Sequence, residues 1–311
     1  MTLPPAVSFD LSDWTQLDVS GPDARKFLHN FCTNDINGLR PGQRREAFFC
    51  DIKGRVLGHV QVFADEQRMR LIGVPGTAEK LVPHLKKYLL DADVTIVDRT
   101  AELGLLCVCG EQTAQSLSTA FGAAIEVALG QCQTLESVGG SYLIGATDVV
   151  SAPAVLISAE RERLTDFRER LPDEVIALGT PELFELLRIA AAFPWYGRDL
   201  GPENIAQEAA RTPQTISFTK GCYLGQEPIA RLDAMGHTNK ELRVLQIAGD
   251  HVQPGSAVLA NGAQVGTLTS VAMGEERGRS LALGMIRTKF AAPGTELVIQ
   301  SEGNEFSAMI A

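Results

Sequence analysis

Cysteine is scarce and poorly spaced for a scaffold: the 311-residue chain has six (Cys32, Cys50, Cys107, Cys109, Cys132 and Cys222) and no C-x-x-C pair. That argues against a disulfide framework and a structural zinc site, so free thiols and no bound metal are expected. Long apolar runs are missing as well. No stretch approaches the ~18 to 20 uninterrupted apolar residues of a spanning helix, and the opening MTLPPAVSFDLSDW has neither the basic start nor the apolar core of a signal peptide. The expectation is a soluble cytoplasmic protein with no membrane role. Positive charge is in deficit, 28 Lys and Arg against 38 Asp and Glu for a net charge of -10, so no strong long-range attraction to nucleic acid is expected.

What is present is an ordinary globular composition, 45% hydrophobic and 21% charged, in a chain long enough for two or three domains. Punctuation and periodicity predict a helix over Val19 to Phe31, capped by Ser20 in an S-x-x-D box, then a hairpin of Arg45 to Cys50 with Val56 to Phe63, a strand at Met69 to Val74 and a helix from Thr77. A similar order restarts after Asp98, with strands at Leu103 to Cys109, Ser141 to Ile144 and Ala154 to Ser158, and helices at Gln112 to Phe121 and Arg161 to Leu171. Thr180-Pro181 opens another helix. From Leu242 onward, short strands separated by glycine turns suit a small β-barrel. The reading is α+β, with lobes at 1–99 and 100–237, a barrel at 238–311, and the last boundary near Gly236 to Asn239.

Chemistry concentrates in Ile216-Ser217-Phe218-Thr219-Lys220-Gly221-Cys222-Tyr223-Leu224-Gly225-Gln226-Glu227-Pro228-Ile229-Ala230-Arg231. A short apolar strand leads into a loop, and Pro228 suits the first turn of a helix starting near Gln226. Cys222 then sits just before a helix N-terminus and two residues from Lys220, both of which favour thiolate. The residue types alone fit equally a small cysteine filling a loop.

This run resembles the K-G-C-Y-x-G-Q-E motif of the YgfZ family, folate-binding proteins tied to iron–sulphur cluster assembly and repair and related to the glycine cleavage T-protein. The resemblance extends to Val19 to Leu28 (V-S-G-P-D-A-x-x-F-L), Thr33-Asn34-Asp35-Ile36, Pro41-Gly42-Gln43, Arg188 to Gly197 and Gly266 to Ser270. It implies a three-lobed, T-protein-like ring of two α+β lobes and a C-terminal β-barrel around a folate channel. It further implies tetrahydrofolate as cofactor, and iron–sulphur proteins or their assembly machinery as partners. Cys222 and Lys220 would be the reactive pair, and His59, Arg188, Tyr196, Glu208, Gln226, Glu227 and Arg231 would shape the cofactor site.

The alternative is an aminomethyltransferase of the T-protein type. In that enzyme the hairpin reads G-x-L-D-D-L, its second Asp beside the reacting folate nitrogen; here the positions are Leu57-Gly58-His59-Val60, so the electrostatic and general-base carboxylate is missing. Both branches usually carry R-x-E-A-G, whose Glu pairs with the pterin edge; this chain has Arg188-Ile189-Ala190-Ala191-Ala192, so Glu208 and Glu227 are the candidate substitutes. Leaving the pterin donors unpaired costs about 1 to 3 kcal/mol. Cys107 and Cys109 share a strand face and are read as buried filler. Arg40, Arg44, Arg45, Lys53 and Arg55 are read as a solvated face, and Trp195 and Tyr196 as core aromatics that could also stack on a flat ring.

Overall fold

A computed structural model describes residues 4–138, 140–236, 238–274 and 278–311. Strand β1 (Val7–Asp10) leads into β2 (Thr15–Ser20), helix α1 (Ala24–Phe31), β3 (Arg44–Cys50), β4 (Val56–Ala64), β5 (Arg68–Gly73), α2 (Thr77–Lys86) and β6 (Thr95–Asp98). Then come β7 (Leu103–Cys109), α3 (Thr113–Phe121), β8 (Cys132–Ser137), β9 (Gly140–Thr147), β10 (Ala154–Glu160), α4 (Arg161–Glu169), β11 (Ala177–Leu178) and α5 (Pro181–Ala190). The remainder is α6 (Thr212–Thr215), α7 (Gln226–Met235) and six strands: β12 (Lys240–Ile247), β13 (Ala257–Ala260), β14 (Ala263–Met273), β15 (Ser280–Arg287), β16 (Glu296–Ser301) and β17 (Asn304–Ile310).

These elements form a sheet ordered β3-β4-β5-β2-β6, a second ordered β11-β1-β7-β10-β9-β8, and a closed barrel β12-β15-β14-β13-β16-β17. The class is the expected one, two α+β lobes and a barrel. The lobes are interleaved: β1 pairs with β7 and β11, so residues 7–10 belong to the second sheet and not to the first.

Strand alternation explains the layers. On β7, Leu105, Cys107 and Cys109 face a core shared with Phe48 and Phe63 of the first sheet, whereas Leu106 and Val108 face a separate core with Leu164 and Phe167 of α4. Each sheet thus carries helices outside and meets the other inside, and the two cysteines are core filler. Helix α5 starts where Thr180 Oγ1 accepts from Leu183 N at 3.3 Å. Its Ile189 and Leu186 pack against Leu242, Ala272 and Leu283, docking the barrel.

Two local expectations fail, and some strands answer to no expectation. Val19 and Ser20 end β2, and α1 starts only at Ala24, where the Asp23 carboxylate accepts from Asp93 N at 2.9 Å instead of closing a capping box. Residues 216–218 form no strand, since Ser217 N bonds a loop carbonyl, Thr33 O. Strands β8 and β17 were not anticipated: β8 shows no apolar alternation, and β17 follows a two-residue turn at Glu302-Gly303. Residue 237, inside the expected barrel boundary, lies outside the described residues.

Candidate functional site

The Lys220 to Gln226 loop is moored to the first lobe. Ser217 N donates to Thr33 O at 3.0 Å and Leu224 N to Asn30 O at 2.9 Å. Gly225, at φ +82°, passes so close to the β3–β4 turn that a Cβ there would lie 2.4 Å from Asp51 O. Only glycine allows that approach together with that backbone conformation, which explains the residue before α7. Cys222 is exposed, whereas the other five cysteines are buried. Burial raises the pKa of each of those five, with Cys132 pushed up to about 11 and Cys109 to about 12. Cys222 is therefore the accessible thiol.

Lys220 does not take the role expected beside it. Its ammonium is buried and donates to His29 O (2.5 Å), Cys32 O (2.7 Å) and Asn34 O (2.8 Å). An ammonium has three N–H donors, so none is left for a thiolate. The cation instead closes the carbonyl end of α1, where the helix dipole is negative. Burial pulls its pKa down, while Cys32 and Asp35 raise it. Glu227 and Arg231 are exposed on α7, and Gln226 is half-buried.

His59 lies elsewhere, in a buried seam between the lobes. Its Nε2 is 2.7 Å from Glu46 Oε1, and its ring lies between Phe48 and Phe193, with centroids at 4.6 and 4.9 Å. It is 3% exposed and committed to protein partners, so the expectation that it meets a cofactor is corrected. Glu46 also accepts from Arg211 Nε at 2.6 Å and Nη2 at 2.7 Å, and Arg211 reaches Asp148 at 2.5 Å. Asp148 binds Arg44, which donates to Gln61 at 2.7 Å. Burial pushes the Glu46 carboxyl up, yet the hydrogen bonds from Arg211 and His59 outweigh it and hold the group well below the usual carboxylate range. This network was missed because its members lie far apart in sequence: Glu46 and Arg211 are separated by 165 positions. The available signal was Arg44 and Glu46 on one face of a strand whose next inward residue is Phe48; charges on such a face need buried partners.

Arg188 also departs from its expected role. Nε and Nη2 donate to Glu185, Nη1 to Phe193 O and Asp199, and Nη2 to Ser270 on β14. All five guanidinium N–H groups are used and the side chain is 0% exposed, so it ties α5 to the barrel and has no donor for a ligand. Tyr196 is buried in the shared core with its hydroxyl donating to Val56 O at 3.3 Å. Glu208, in the turn Ala206–Ala209, accepts from Asn204 at 2.7 Å through Oε2, with Lys240 at 3.8 Å; Oε1 takes no hydrogen bond among the described residues. Beside it, a cavity of about 430 Å³ lies between the 198–204 segment and the barrel, lined by Glu203, Asn204, Lys240, Gln264, Thr267 and Arg287 among others. The expected residues thus divide among the Cys222 loop, the lobe seam and the barrel junction. Gln207, donating to Ile229 O of α7 at 2.7 Å, links the first of these to the Glu208 turn. Among the described residues, no group of three or more His, Cys, Asp or Glu could hold a metal ion, and no helix is long and apolar enough to cross a membrane.

A family model for the GCVT N-terminal domain matches residues 5–212, and one for the glycine cleavage T-protein C-terminal barrel domain matches residues 240–311. The tRNA-modifying protein YgfZ of Klebsiella pneumoniae is 30% identical over 249 residues, covering 78% of this chain and 72% of that protein. An aminomethyltransferase of Desulforamulus reducens is 24% identical over 314 residues, covering 97% and 84% respectively. The crystal structure of aminomethyltransferase T from the Bartonella henselae glycine cleavage system matches 99% of this chain and 86% of its own, with a TM-score of 0.88 at 20% identity, a likeness of fold. With both domain models matched in order and a YgfZ relative at 30% identity, the chain belongs to the glycine cleavage T-protein family, in the company of its YgfZ members.

Proposed function

We propose that this protein is a tetrahydrofolate-binding accessory protein of the YgfZ type, acting in the cytoplasm through Cys222 in support of iron–sulphur cluster assembly or repair. The observation that carries the reading is the exposed thiol of Cys222 on the K-G-C-Y-L-G-Q-E loop, with every other cysteine buried. Against aminomethyl transfer stands His59: where the enzymes place a carboxylate, this chain has a ring closed in by Phe48, Phe193 and Glu46. The net charge of -10 favours action on a protein client over direct binding of RNA.

The donor set fits a pterin in chemical kind. Glu208 keeps one carboxylate oxygen for the amino-pyrimidine edge that the family's missing Glu, here Ala190, would otherwise serve. Gln226, Glu227 and Arg231 supply further polar groups on α7. Tetrahydrofolate would bring a one-carbon carrier and reductant to the site; the protein's part is to accept from its ring donors and to hold the thiol in the open.

The test is complementation of a strain lacking its own YgfZ, read as iron–sulphur enzyme activity. Wild type restores it and Cys222→Ser does not; full rescue by the serine variant would remove the thiol from the mechanism. Calorimetry with tetrahydrofolate is expected to show about tenfold or greater weakening in Glu208→Gln, and tightening in Ala190→Glu. Folate-dependent turnover with an aminomethyl-lipoyl carrier would instead establish the transferase reading.

A further inference from the structure

The cavity between the 198–204 segment and the barrel has unlike walls. On the barrel side, Lys240 of β12 and Arg287 of β15 are directly opposed in the antiparallel register. Like charges opposed across strands destabilise a sheet unless something answers them. Lys240 has Glu208 at 3.8 Å, whereas Arg287 makes no ion pair or side-chain hydrogen bond among the described residues. On the loop side, Glu203 lines the same cavity and likewise forms no ion pair among the described residues. The other charges of the lining are already matched, Arg198 by Glu185 and Asp199 by Arg188. Buried Asn204 gives one amide hydrogen to Glu208 and keeps the other, and Thr267 on β14 adds a hydroxyl to the lining.

An open cation on one wall and an open carboxylate on the other define a dipolar complement. We infer that this cavity binds a free amino acid as its zwitterion, the α-carboxylate toward Arg287 and Lys240 and the ammonium toward Glu203. A simple anion would face Glu203 unfavourably, and a simple amine would face the Lys240–Arg287 pair. The volume of about 430 Å³ leaves room for a side chain. No residue of the Cys222 loop lines this cavity, and Glu208, the acceptor proposed for the pterin, adjoins it through Asn204 and Lys240.

The experiment is thermal-shift screening of the full-length protein with the standard L-amino acids one at a time, followed by calorimetry on any that stabilise it. Each is paired with its des-amino acid, which keeps only the carboxylate, and its carboxamide, which keeps only the ammonium. At least one amino acid is expected to bind, with both analogues and both Arg287→Gln and Glu203→Gln weakened about tenfold or more, equivalent to about 1.4 kcal/mol. Both substitutions lie on exposed side chains, and unchanged melting without ligand verifies their fold. Absence of binding by every amino acid overturns the inference. So does equal binding of the des-amino acid with no effect of Glu203→Gln, which would make this an anion site, and so does binding indifferent to Arg287→Gln.

Discussion

Ala192 occupies a left-handed backbone conformation, φ +52°, at the position where the family pattern R-x-E-A-G has its glycine. A non-glycine residue there is strained by roughly 1 kcal/mol. Ala192→Gly is therefore expected to raise the urea midpoint by an amount corresponding to several tenths of a kcal/mol up to about 1 kcal/mol, the gain being reduced by the greater freedom of glycine in the unfolded chain. A lowered midpoint would mean that the methyl group's packing against the α5–barrel core outweighs the strain. Glu46 makes a pH-dependent prediction. Its carboxyl is held below its ordinary value of 4.5, so the folded state binds its proton less readily than the unfolded one. The stability this contributes is fully present above about pH 4.5 and is lost as pH falls below that value. Glu46→Gln should cost about 3–5 kcal/mol near neutrality, because it leaves His59 and part of Arg211 unanswered. The gap to wild type should narrow under acid; a gap independent of pH would show that the charge on Glu46 contributes nothing.

At the scale of elements, Gly225 and Gly236 bracket α7 with nearly equal φ values, +82° and +85°, but differ in surroundings. A Cβ at Gly236 meets nothing within 4 Å, whereas at Gly225 it meets the Asp51 carbonyl. Gly236→Ala should therefore show the conformational term alone, about 1 kcal/mol. Gly225→Ala should cost clearly more and should alter the alkylation rate of Cys222, because the loop must leave the β3–β4 turn; equal effects would refute the packing argument. These elements were largely legible in the sequence. The hairpin, α2 and α5 carry period-2 or period-3.6 patterns with caps or turns at their ends, β7 is a continuous apolar run closed by Gly110, and α7 is announced by glycine and Pro228. Functional roles were less so. Lys220 stands two residues from Cys222 in sequence, yet its ammonium points to α1, and no local pattern encodes the direction of a long side chain. Arg188 and His59 were singled out by motif position, but their partners Ser270 and Glu46 lie in other elements.

Across the whole molecule, buried charge joins the parts. Arg188 ties α5 to β14, Arg211 joins β3 to Asp148 of the second lobe, and Arg70 of β5 reaches Asp18 and, across the lobes, Ser158. Arg188→Met should leave Asp199 and Glu185 without their main cation, at a cost of about 3–5 kcal/mol. Calorimetry should then resolve a separate, earlier transition for the barrel where wild type melts in one step; a single transition at the wild-type temperature would show that apolar packing against α5 suffices. The interleaving of the lobes has a consequence for biosynthesis. Ser8 Oγ donates to Ala177 O, 169 positions away, and β7 follows β1 only after the whole first sheet. A ribosome therefore releases β1 as an orphan segment that must wait, unpaired, while residues 15–98 close into their own lobe. Its capture by the later strands seals the second lobe, and slowing translation between residues 110 and 180 should prolong the exposure of nascent chains to proteases.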